Sequence, residues 1–361
     1  MKLRLEKIFS IFFLFLLINC AHHYQKYTLD LTKDVQIHKG QIDWYYTYIL
    51  TENQQKKYDY FVIVFQYFDA ISYFSNIYIK DILKDTFYYY ETNVPIYSGM
   101  KNFKDNNDFE NLSFDINFYL NDLQCSINFD YDNKMLINGD SGYIIMGHIK
   151  DTAGYYSLIS KKLTGFIKTD KVNIDLTKIS NKYGWFDHQW GNMKLDIKNR
   201  WIWSGIFLGD DKFLVSGHFK NQEFNFLQYH NLKDKKSMIY KNTVLDPITY
   251  KKSLLSRKIY EYGFLIRSKD DSIYLFYEPL YDECFIPGVI FTGPCKVKGF
   301  INENYYEGIG TFEISDPVDD STMFYPYDFY KSIFNNSKKV IEQNIENRKK
   351  SIKIYQKLNG L

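Results

Sequence analysis

Residues 184–192 read GWFDHQWGN, and residues 201–203 read WIW. These two segments hold four of the five tryptophans in a chain of 361 residues. Indole rings are large and are buried most readily when a partner accepts the N–H hydrogen bond, so this clustering indicates a packed aromatic region. Within it Asp187 stands beside His188, and a carboxylate can orient an imidazole or stabilise its charged form. The region is either an aromatic core with one satisfied polar pair or part of a functional site.

The composition favours a β-rich protein and argues against a nucleic-acid surface. The chain contains 34 Tyr, 30 Phe and only 7 Pro, which is typical of strands with aromatic faces rather than of disorder. Its 45 basic residues nearly balance its 43 acidic residues, so we expect no nucleic-acid partner. A single core seldom grows to fill a chain of this length, which predicts two domains.

The N-terminus predicts export. Basic residues precede the apolar run 8–18, which is short for a membrane span but suits the core of a signal peptide. Residues 17–20 read LINC, which resembles a bacterial lipobox and predicts lipidation of Cys20. We therefore expect a lipoprotein anchored to a membrane of the bacterial cell envelope. Ordinary cleavage of the signal peptide is the alternative, and it would make the chain periplasmic or secreted.

The remaining cysteines indicate no metal centre. Cys284 and Cys295 are eleven positions apart and flank Pro–Gly and Gly–Pro turns, a spacing that is compatible with a hairpin disulfide in an oxidising compartment. The sequence has no CxxC pair and no His/Cys cluster at metal-ligand spacing. We therefore expect no metal and no cofactor.

Alternation of apolar residues at period two predicts a series of short strands. In the first half these are 41–50, 60–68, 75–80, 86–90, 112–120, 124–131, 142–150 and 155–157. In the second half they are 201–208, 213–219, 224–230, 258–267, 272–278, 289–301 and 308–314. The order of strands and turns in residues 201–219 echoes that in residues 44–68, which indicates two barrels of related design.

The C-terminal segment differs in character from the rest. Residues 328–358 predict a helix with one apolar face and a basic polar face, which we expect to pack on the nearest domain rather than on a membrane. The predicted organisation is a signal segment (1–20), an N-terminal barrel (24–170), a C-terminal barrel (171–316) and a helical tail (317–361).

Several further motifs follow in order along the chain. They are His38 with DWYY at 43–46, NGDSGY at 138–143, YYS at 155–157, YEP at 277–279 and YEG at 306–308. Together with the two tryptophan segments, they resemble the lipocalin-like family that includes AttH and the hydroxyneurosporene synthase type of carotenoid hydratase. The resemblance covers about residues 35–315. It implies an all-β fold of two tandem lipocalin-like β-barrels packed together, with room for a small apolar ligand.

The resemblance also implies a hydrophobic small molecule, of lipid or isoprenoid type, as the partner. Asp187 and His188 are the candidate catalytic residues, because either could be the acid that protonates an isolated double bond. The candidate ligand-binding residues are Trp44, Trp185, Trp190, Trp201, Trp203, Tyr156, Asp140 and Glu278. Tryptophan faces could stabilise the resulting cation. Asp140 could instead cap a turn, and Glu278 could be a charge at the rim of a barrel.

The sequence leaves enzymatic activity open. The segment after WIW reads FLVSGH at residues 213–218 and lacks the Tyr-x-Asp pair of the carotenoid-hydratase branch. His218 could substitute, although a lone histidine on a strand is more often a surface or core residue. No GxSxG motif is present, so a serine hydrolase is not indicated. The first interpretation is a protein that binds a hydrophobic small molecule, with catalysis left open. The alternatives are a hydratase or isomerase with Asp187 or His188 as the acid, and a structural or adhesion protein in which the cluster only joins two barrels.

Overall fold

The computed structural model describes residue 38 and residues 41–68, 73–92, 97–101, 113–120, 123–130, 135–145, 152–191, 201–209, 211–219, 225–241, 243–252, 259–268, 270, 272–281, 285–286 and 290–315. In these ranges the chain forms 23 β-strands and no helix, so the predicted all-β class is confirmed. There is accordingly no helix among them that is long and apolar enough to cross a membrane. The predicted signal segment and helical tail lie outside the described residues.

The first sheet contains eight antiparallel strands. They are β1 (Ile42–Glu52), β2 (Tyr58–Phe68), β3 (Tyr73–Asp81), β4 (Thr86–Thr92), β8 (Met135–Ile137), β9 (Tyr143–Ile145), β10 (Thr152–Ser160) and β13 (Asn181–Gly191). Their order is β4-β3-β2-β1-β13-β10-β8, and β9 pairs with β10. β1 and β13 therefore lie side by side at the centre of the sheet.

A second sheet covers one face of the first. Its strands are β5 (Tyr97–Lys101), β6 (Ser113–Leu120), β7 (Leu123–Asp130), β11 (Lys162–Thr169) and β12 (Asn173–Asp175), in the order β12-β11-β7-β6-β5. Side chains of the two sheets form one buried cluster that includes Ile49, Val62, Ile77, Leu123, Ile127 and Leu163. This cluster is the interior of the first half.

The third sheet forms the second half. Its strands are β14 (Trp201–Phe207), β15 (Lys212–Phe219), β16 (Phe226–Asn231), β17 (Lys236–Lys241), β18 (Val244–Lys252), β19 (Ile259–Arg267), β20 (Ile273–Pro279), β21 (Phe285–Ile286), β22 (Ile290–Ile301) and β23 (Asn304–Ile314). The order is β17-β16-β15-β14-β23-β22-β20-β19-β18, with β21 beside β22. The edge strands β17 and β18 are joined through only two residues, a span of about 11 Å at most. The sheet must therefore curl until its two edges come close together.

The two halves repeat one strand order. In the third sheet β17-β16-β15-β14-β23-β22 follows the same path as β4-β3-β2-β1-β13-β10 in the first sheet. In both, four consecutive strands form a meander, and the last long strand of the half pairs with its first strand. The echo predicted between residues 44–68 and 201–219 corresponds to β1–β2 and β14–β15.

Residues 184–191 of the tryptophan-rich segment lie in β13 and belong to the first half. Sequence analysis predicted a boundary at residue 170, but β13 pairs with β1 and β10 along its length. β13 was not predicted as a strand because aromatic and polar residues occupy both of its faces, so no period-two alternation marks it. Both faces of the strand are buried because it packs between two layers.

The other face of the first sheet packs against the third sheet along an aromatic interface, which we call the seam. The seam contains Trp44, Tyr46, Tyr48, Phe65, Trp185, Trp203, Phe207, Phe213, Phe219 and Phe226. The Tyr48 hydroxyl donates a hydrogen bond of 2.9 Å across the seam to the carbonyl oxygen of Gly205. A β-carbon at Gly205 would lie 2.8 Å from the ring of Trp185, so glycine permits this close approach.

We expect Tyr48→Phe to lower the free energy of unfolding by about 1 kcal/mol, because it removes a buried hydrogen bond between the halves. Tyr305→Phe is the matched control, since the Tyr305 side chain is 44% exposed and its hydroxyl donates to Glu307 at the surface. Urea unfolding followed by tryptophan fluorescence measures both changes. Equal stability of the two variants would show that the Tyr48 hydrogen bond contributes nothing across the seam.

Candidate functional site

The alternation of β13 separates the two candidate catalytic residues. Asp187 and Trp185 face the seam, whereas His188 and Trp190 face the interior of the first half. Adjacent residues on a strand point to opposite faces of a sheet, so the Asp187–His188 pair of the sequence is not a pair in space. The structure therefore contains two polar clusters, one on each side of β13.

The carboxylate of Asp187 is buried and receives three hydrogen bonds. The Trp185 indole N–H donates to Oδ1 at 2.7 Å, and the Ser157 hydroxyl donates to the same oxygen. The Tyr155 hydroxyl donates to Oδ2 at 3.0 Å and itself accepts a bond of 2.7 Å from the indole N–H of Trp203. These donors come from β10, β13 and β14, so the position of Asp187 depends on both halves.

A second carboxyl group, that of Glu313 on β23, is buried in the same part of the seam. Glu313 lies directly opposite Trp203 in the ladder between β14 and β23. Its oxygen Oε1 is buried, and none of the described residues hydrogen-bonds to it. The indole N–H of Trp44 is likewise buried without a partner among the described residues. Buried polar atoms are nearly always paired, so these two mark a place for a polar ligand group.

Asp187, Glu313 and Trp44 line one cavity in the seam. Its other lining residues are Tyr46, Phe65, Ile144, Gln189, Trp201, Trp203, Gly217, Phe219 and Phe226. None of these described residues is basic, so no side-chain cation there compensates the carboxyl groups. The cavity has a volume of about 30 Å³, which is room for about two water molecules. It is a small aromatic space that contains two acids.

Burial changes the acidity of both carboxyl groups. It raises the pKa of Asp187 to about 7, and the hydrogen bonds from Ser157, Trp185 and Tyr155 offset part of this effect. Burial, together with the nearby charge of Asp187, raises the pKa of Glu313 well above its usual value. Hydrogen bonds from Tyr46 and Trp201 counteract this only in part. The carboxyl group of Glu313 therefore keeps its proton to a higher pH than a free glutamate does, and in that form it can donate a proton.

The second polar cluster consists of His38, Asp43 and His188. Oδ1 of Asp43 lies 2.8 Å from Nδ1 of His38 and 2.9 Å from Nε2 of His188. The Tyr156 hydroxyl lies 3.2 Å from the other ring nitrogen of His188. Burial alone raises the pKa of Asp43, but hydrogen bonds from His188 and His38 outweigh it and hold this pKa below its usual value.

The predicted ligand-binding residues fall into three groups. Trp44, Trp201 and Trp203 line the seam cavity, and Trp185 bonds to Asp187 beside it. Tyr156 and Trp190 pack around His188 in the first half. Asp140 and Glu278 are exposed. Asp140 lies in a turn, and Glu278 pairs with Lys298 at 3.5 Å on the border of an open groove of about 510 Å³.

His218 does not join the cavity. Its Nε2 lies 3.0 Å from the hydroxyl of Thr243, and burial lowers its pKa to about 3. The neighbouring residue Gly217 lines the cavity instead. The strand after WIW thus presents no acid to the seam, and the second carboxyl group comes from β23.

Sequence reasoning missed Glu313, Tyr155 and Asp43 as site residues. Glu313 stands between the apolar residues Phe312 and Ile314 on β23, a pattern that ordinarily predicts a solvent-facing acid. One feature of the sequence could have pointed to Glu313: it lies in the last strand of the region, about residues 35–315, that resembles the family. Only the packing of the third sheet on the first converts that position into a buried one.

The cysteines are a separate matter. Cys125 and Cys295 are buried free thiols, and burial raises the pKa of the Cys295 thiol. Because Cys295 is a free thiol, the hairpin disulfide that the spacing of Cys284 and Cys295 allows is not formed. Cys20 lies outside the described residues, so its lipidation stays a prediction.

Two solved structures are similar to this fold. One is a protein from Nitrosomonas europaea that is described as AttH. The TM-score is 0.65, the sequence identity is 13%, and the match covers 81% of this chain and 98% of that chain. The other is kievitone hydratase from Nectria haematococca, with a TM-score of 0.60, 13% identity, and coverage of 80% and 96%. The chain shares their lipocalin-like fold. The resemblance inferred from the motifs is therefore confirmed at the level of the fold. No protein-family model and no curated protein sequence matches the chain.

We expect Glu313→Gln to change how stability depends on pH. The pKa of Glu313 is raised in the folded chain, so the wild type binds a proton on folding and loses stability as pH rises above about 4.3, by at most about 1.4 kcal/mol per pH unit. The glutamine variant lacks this loss. Asp187 and Tyr46 are the titratable groups that face Glu313. Urea unfolding at pH 4, 6 and 8 measures the difference between variant and wild type.

As pH increases, the free energy of unfolding of Glu313→Gln should rise relative to that of the wild type. This trend with pH is expected even if the amide itself changes stability by a constant amount. A difference that stays constant from pH 4 to pH 8 would mean that Glu313 ionises in the folded chain as it does in water.

Proposed function

We propose that the seam cavity binds the double-bond end of a hydrophobic small molecule, of lipid or isoprenoid type, and adds water to it with Glu313 as the acid. The observation that carries the proposal is a pair of buried carboxyl groups in an aromatic cavity without a basic lining residue. Protonation of an alkene needs a group that carries a proton at the working pH and lies next to the double bond in a site without bulk water, and a buried carboxyl group with a raised pKa meets these conditions. The likeness to kievitone hydratase is consistent with this chemistry.

The reaction can be written with every proton assigned. The protonated oxygen of Glu313 transfers its proton to one alkene carbon, which forms a C–H bond and leaves the other carbon cationic. A water oxygen adds to that carbon and gives a proton to the carboxylate of Asp187. Return of this proton from Asp187 to Glu313 restores the site. If Asp187 instead removes a proton from a carbon next to the cation, the double bond shifts and the reaction is an isomerisation.

Aromatic rings supply the stabilisation that a carbocation requires. Trp44 and Trp201 are in contact, with ring centroids 5.3 Å apart, and Trp203 lies on the adjacent face of the cavity. An aromatic face that is shielded from water attracts a cation by about 2 kcal/mol. The aromatic rings of the cavity therefore lower the energy of the cationic intermediate.

The size of the cavity limits what enters it. A volume of about 30 Å³ holds about two water molecules, so a terminal double bond enters only when side chains around the cavity move apart, and a whole lipid does not fit. We infer that the body of the substrate lies outside the cavity and that only its terminal double bond approaches Glu313. The unpartnered Trp44 N–H and Glu313 Oε1 would hold the water.

We also propose that the chain is exported and carried on a membrane by lipidated Cys20. The basic start, the apolar run 8–18 and the LINC segment support this. A membrane anchor would keep the protein next to a source of apolar molecules.

Hydration is tested in water enriched in ¹⁸O with linear isoprenoid alcohols that carry a terminal trisubstituted alkene. We expect the wild type to give a product that gains one ¹⁸O-labelled water by mass spectrometry. Glu313→Gln should reduce turnover by about 100-fold or more, because it removes the proton donor and keeps the shape. Glu307→Gln, on the same strand but exposed, is the control and should retain full activity.

Quenching of tryptophan fluorescence by the same alcohols tests binding separately. Quenching without hydration or isomerisation would leave a binding protein and reject catalysis. Absence of both would favour the structural alternative, in which the cluster only joins the two halves.

The anchor is tested by expressing the chain in a bacterial host that is fed an alkyne-bearing fatty acid. We expect the wild type to incorporate the label and to fractionate with membranes, and we expect Cys20→Ser to do neither. Cys125→Ser, a buried cysteine, serves as the control. Equal labelling of wild type and Cys20→Ser would contradict the lipobox interpretation.

A further inference from the structure

The second polar cluster, which the proposed reaction does not use, brings three potential metal ligands together from distant parts of the chain. His38 precedes β1, Asp43 lies on β1 and His188 lies on β13. One ligand atom from each residue falls within 4.8 Å of the other two. Because the three residues occupy positions 38, 43 and 188, no compact spacing in the sequence signals the cluster.

We propose that His38, Asp43 and His188 bind one divalent transition-metal ion, with Zn²⁺ as the best match to the ligand set. Two imidazole nitrogens and one carboxylate oxygen are a common donor set for Zn²⁺ and its neighbours in the first transition series. Three protein ligands leave a fourth position for water. Ligand atoms around a tetrahedral zinc ion lie roughly 3.3 Å apart. The contacts of 2.8 Å and 2.9 Å are shorter than this, and all three atoms lie within 4.8 Å of one another, so the side chains must shift to admit the ion.

The surroundings hold the donor atoms in place. The Trp190 ring stacks on His38 at 4.8 Å, with an angle of 2° between the planes. The Tyr45 ring stacks on His188 at 4.3 Å, with an angle of 9°. Stacking fixes the plane of each imidazole and therefore the direction of its lone pairs.

Hydrogen bonds reach the second carboxylate oxygen of Asp43 and the second ring nitrogen of His188, which would not bind the ion. The backbone N–H of His38 donates to Oδ2 of Asp43 at 2.9 Å, and the Tyr156 hydroxyl lies 3.2 Å from Nδ1 of His188. Oδ1 of Asp43, Nδ1 of His38 and Nε2 of His188 then remain directed at one another. Metal-binding histidines and carboxylates characteristically have such outer partners, which set their orientation.

The location indicates a structural role for the ion. Asp43 and His188 are fully buried, and only the His38 side chain, at 15%, is partly exposed. The ion would tie the chain entering β1 to the central strands β1 and β13. It lies on the face of β13 opposite Asp187, so binding at this site and turnover in the seam can be measured independently.

Cobalt binding tests the proposal on the full chain, free of any histidine tag and stripped with a chelator. Titration of the wild type with Co²⁺ should produce visible absorption bands that saturate at one ion per chain and disappear when Zn²⁺ is added. His38→Gln and His188→Gln should abolish the bands, and Tyr156→Phe should weaken binding by about 10- to 100-fold. His218→Gln, a buried histidine elsewhere, should bind as the wild type does.

Circular dichroism establishes that each variant is folded, and His38→Gln decides the question if His188→Gln is not. The absence of cobalt bands in the folded wild type would overturn the proposal, as would bands that persist unchanged in His38→Gln. In either case the cluster is a set of hydrogen bonds that joins the chain before β1 to β1 and β13. Failure here leaves the proposed hydration intact, because that test uses Glu313.

Discussion

The structure depends on the burial of two carboxyl groups in an aromatic interface. A charged carboxylate in such surroundings is costly unless hydrogen bonds or a cation compensate it. Asp187 is compensated by three donors, and the raised pKa of Glu313 favours the neutral form of its carboxyl group. The tryptophans that form the interface also supply two of the N–H groups in this network. The packing of the two halves therefore also sets the pKa values of the two carboxyl groups, and neither half could produce this site alone.

β13 organises the molecule because it is buried on both faces. Toward the seam it presents Trp185 and Asp187, and toward the first half it presents His188 and Trp190. A strand that carries polar groups on both buried faces loses stability unless each group finds a partner. Here β1 supplies the partner on one side through Asp43, and β10 supplies partners on the other through Tyr155 and Ser157. The cost of these polar groups in the core is typical of functional sites rather than of plain packing.

The sequence predicted the class of fold and the region of the site, but not the site itself. Clustered tryptophans and alternating strands were sufficient for an all-β chain with a repeated order. Asp187 was identified correctly as a residue of the site. His188 was assigned to the same site because the segment was not predicted as a strand, and only in a strand do neighbouring residues point to opposite faces of the sheet. Glu313 was missed because an acid on an alternating strand looks exposed until the other half is placed over it. The His38–Asp43–His188 cluster was missed because its members meet only through the pairing of β1 with β13.

The central claim is that the seam holds a neutral carboxylic acid at a pH where free glutamate is ionised. Infrared difference spectroscopy of the wild type against Glu313→Gln measures this directly, since a protonated carboxyl group absorbs at a carbonyl frequency distinct from that of a carboxylate. At pH 7 the wild type should show a protonated carboxyl band that is shielded from solvent and missing from Glu313→Gln. A wild-type spectrum with no protonated carboxyl band at pH 7 would contradict the account.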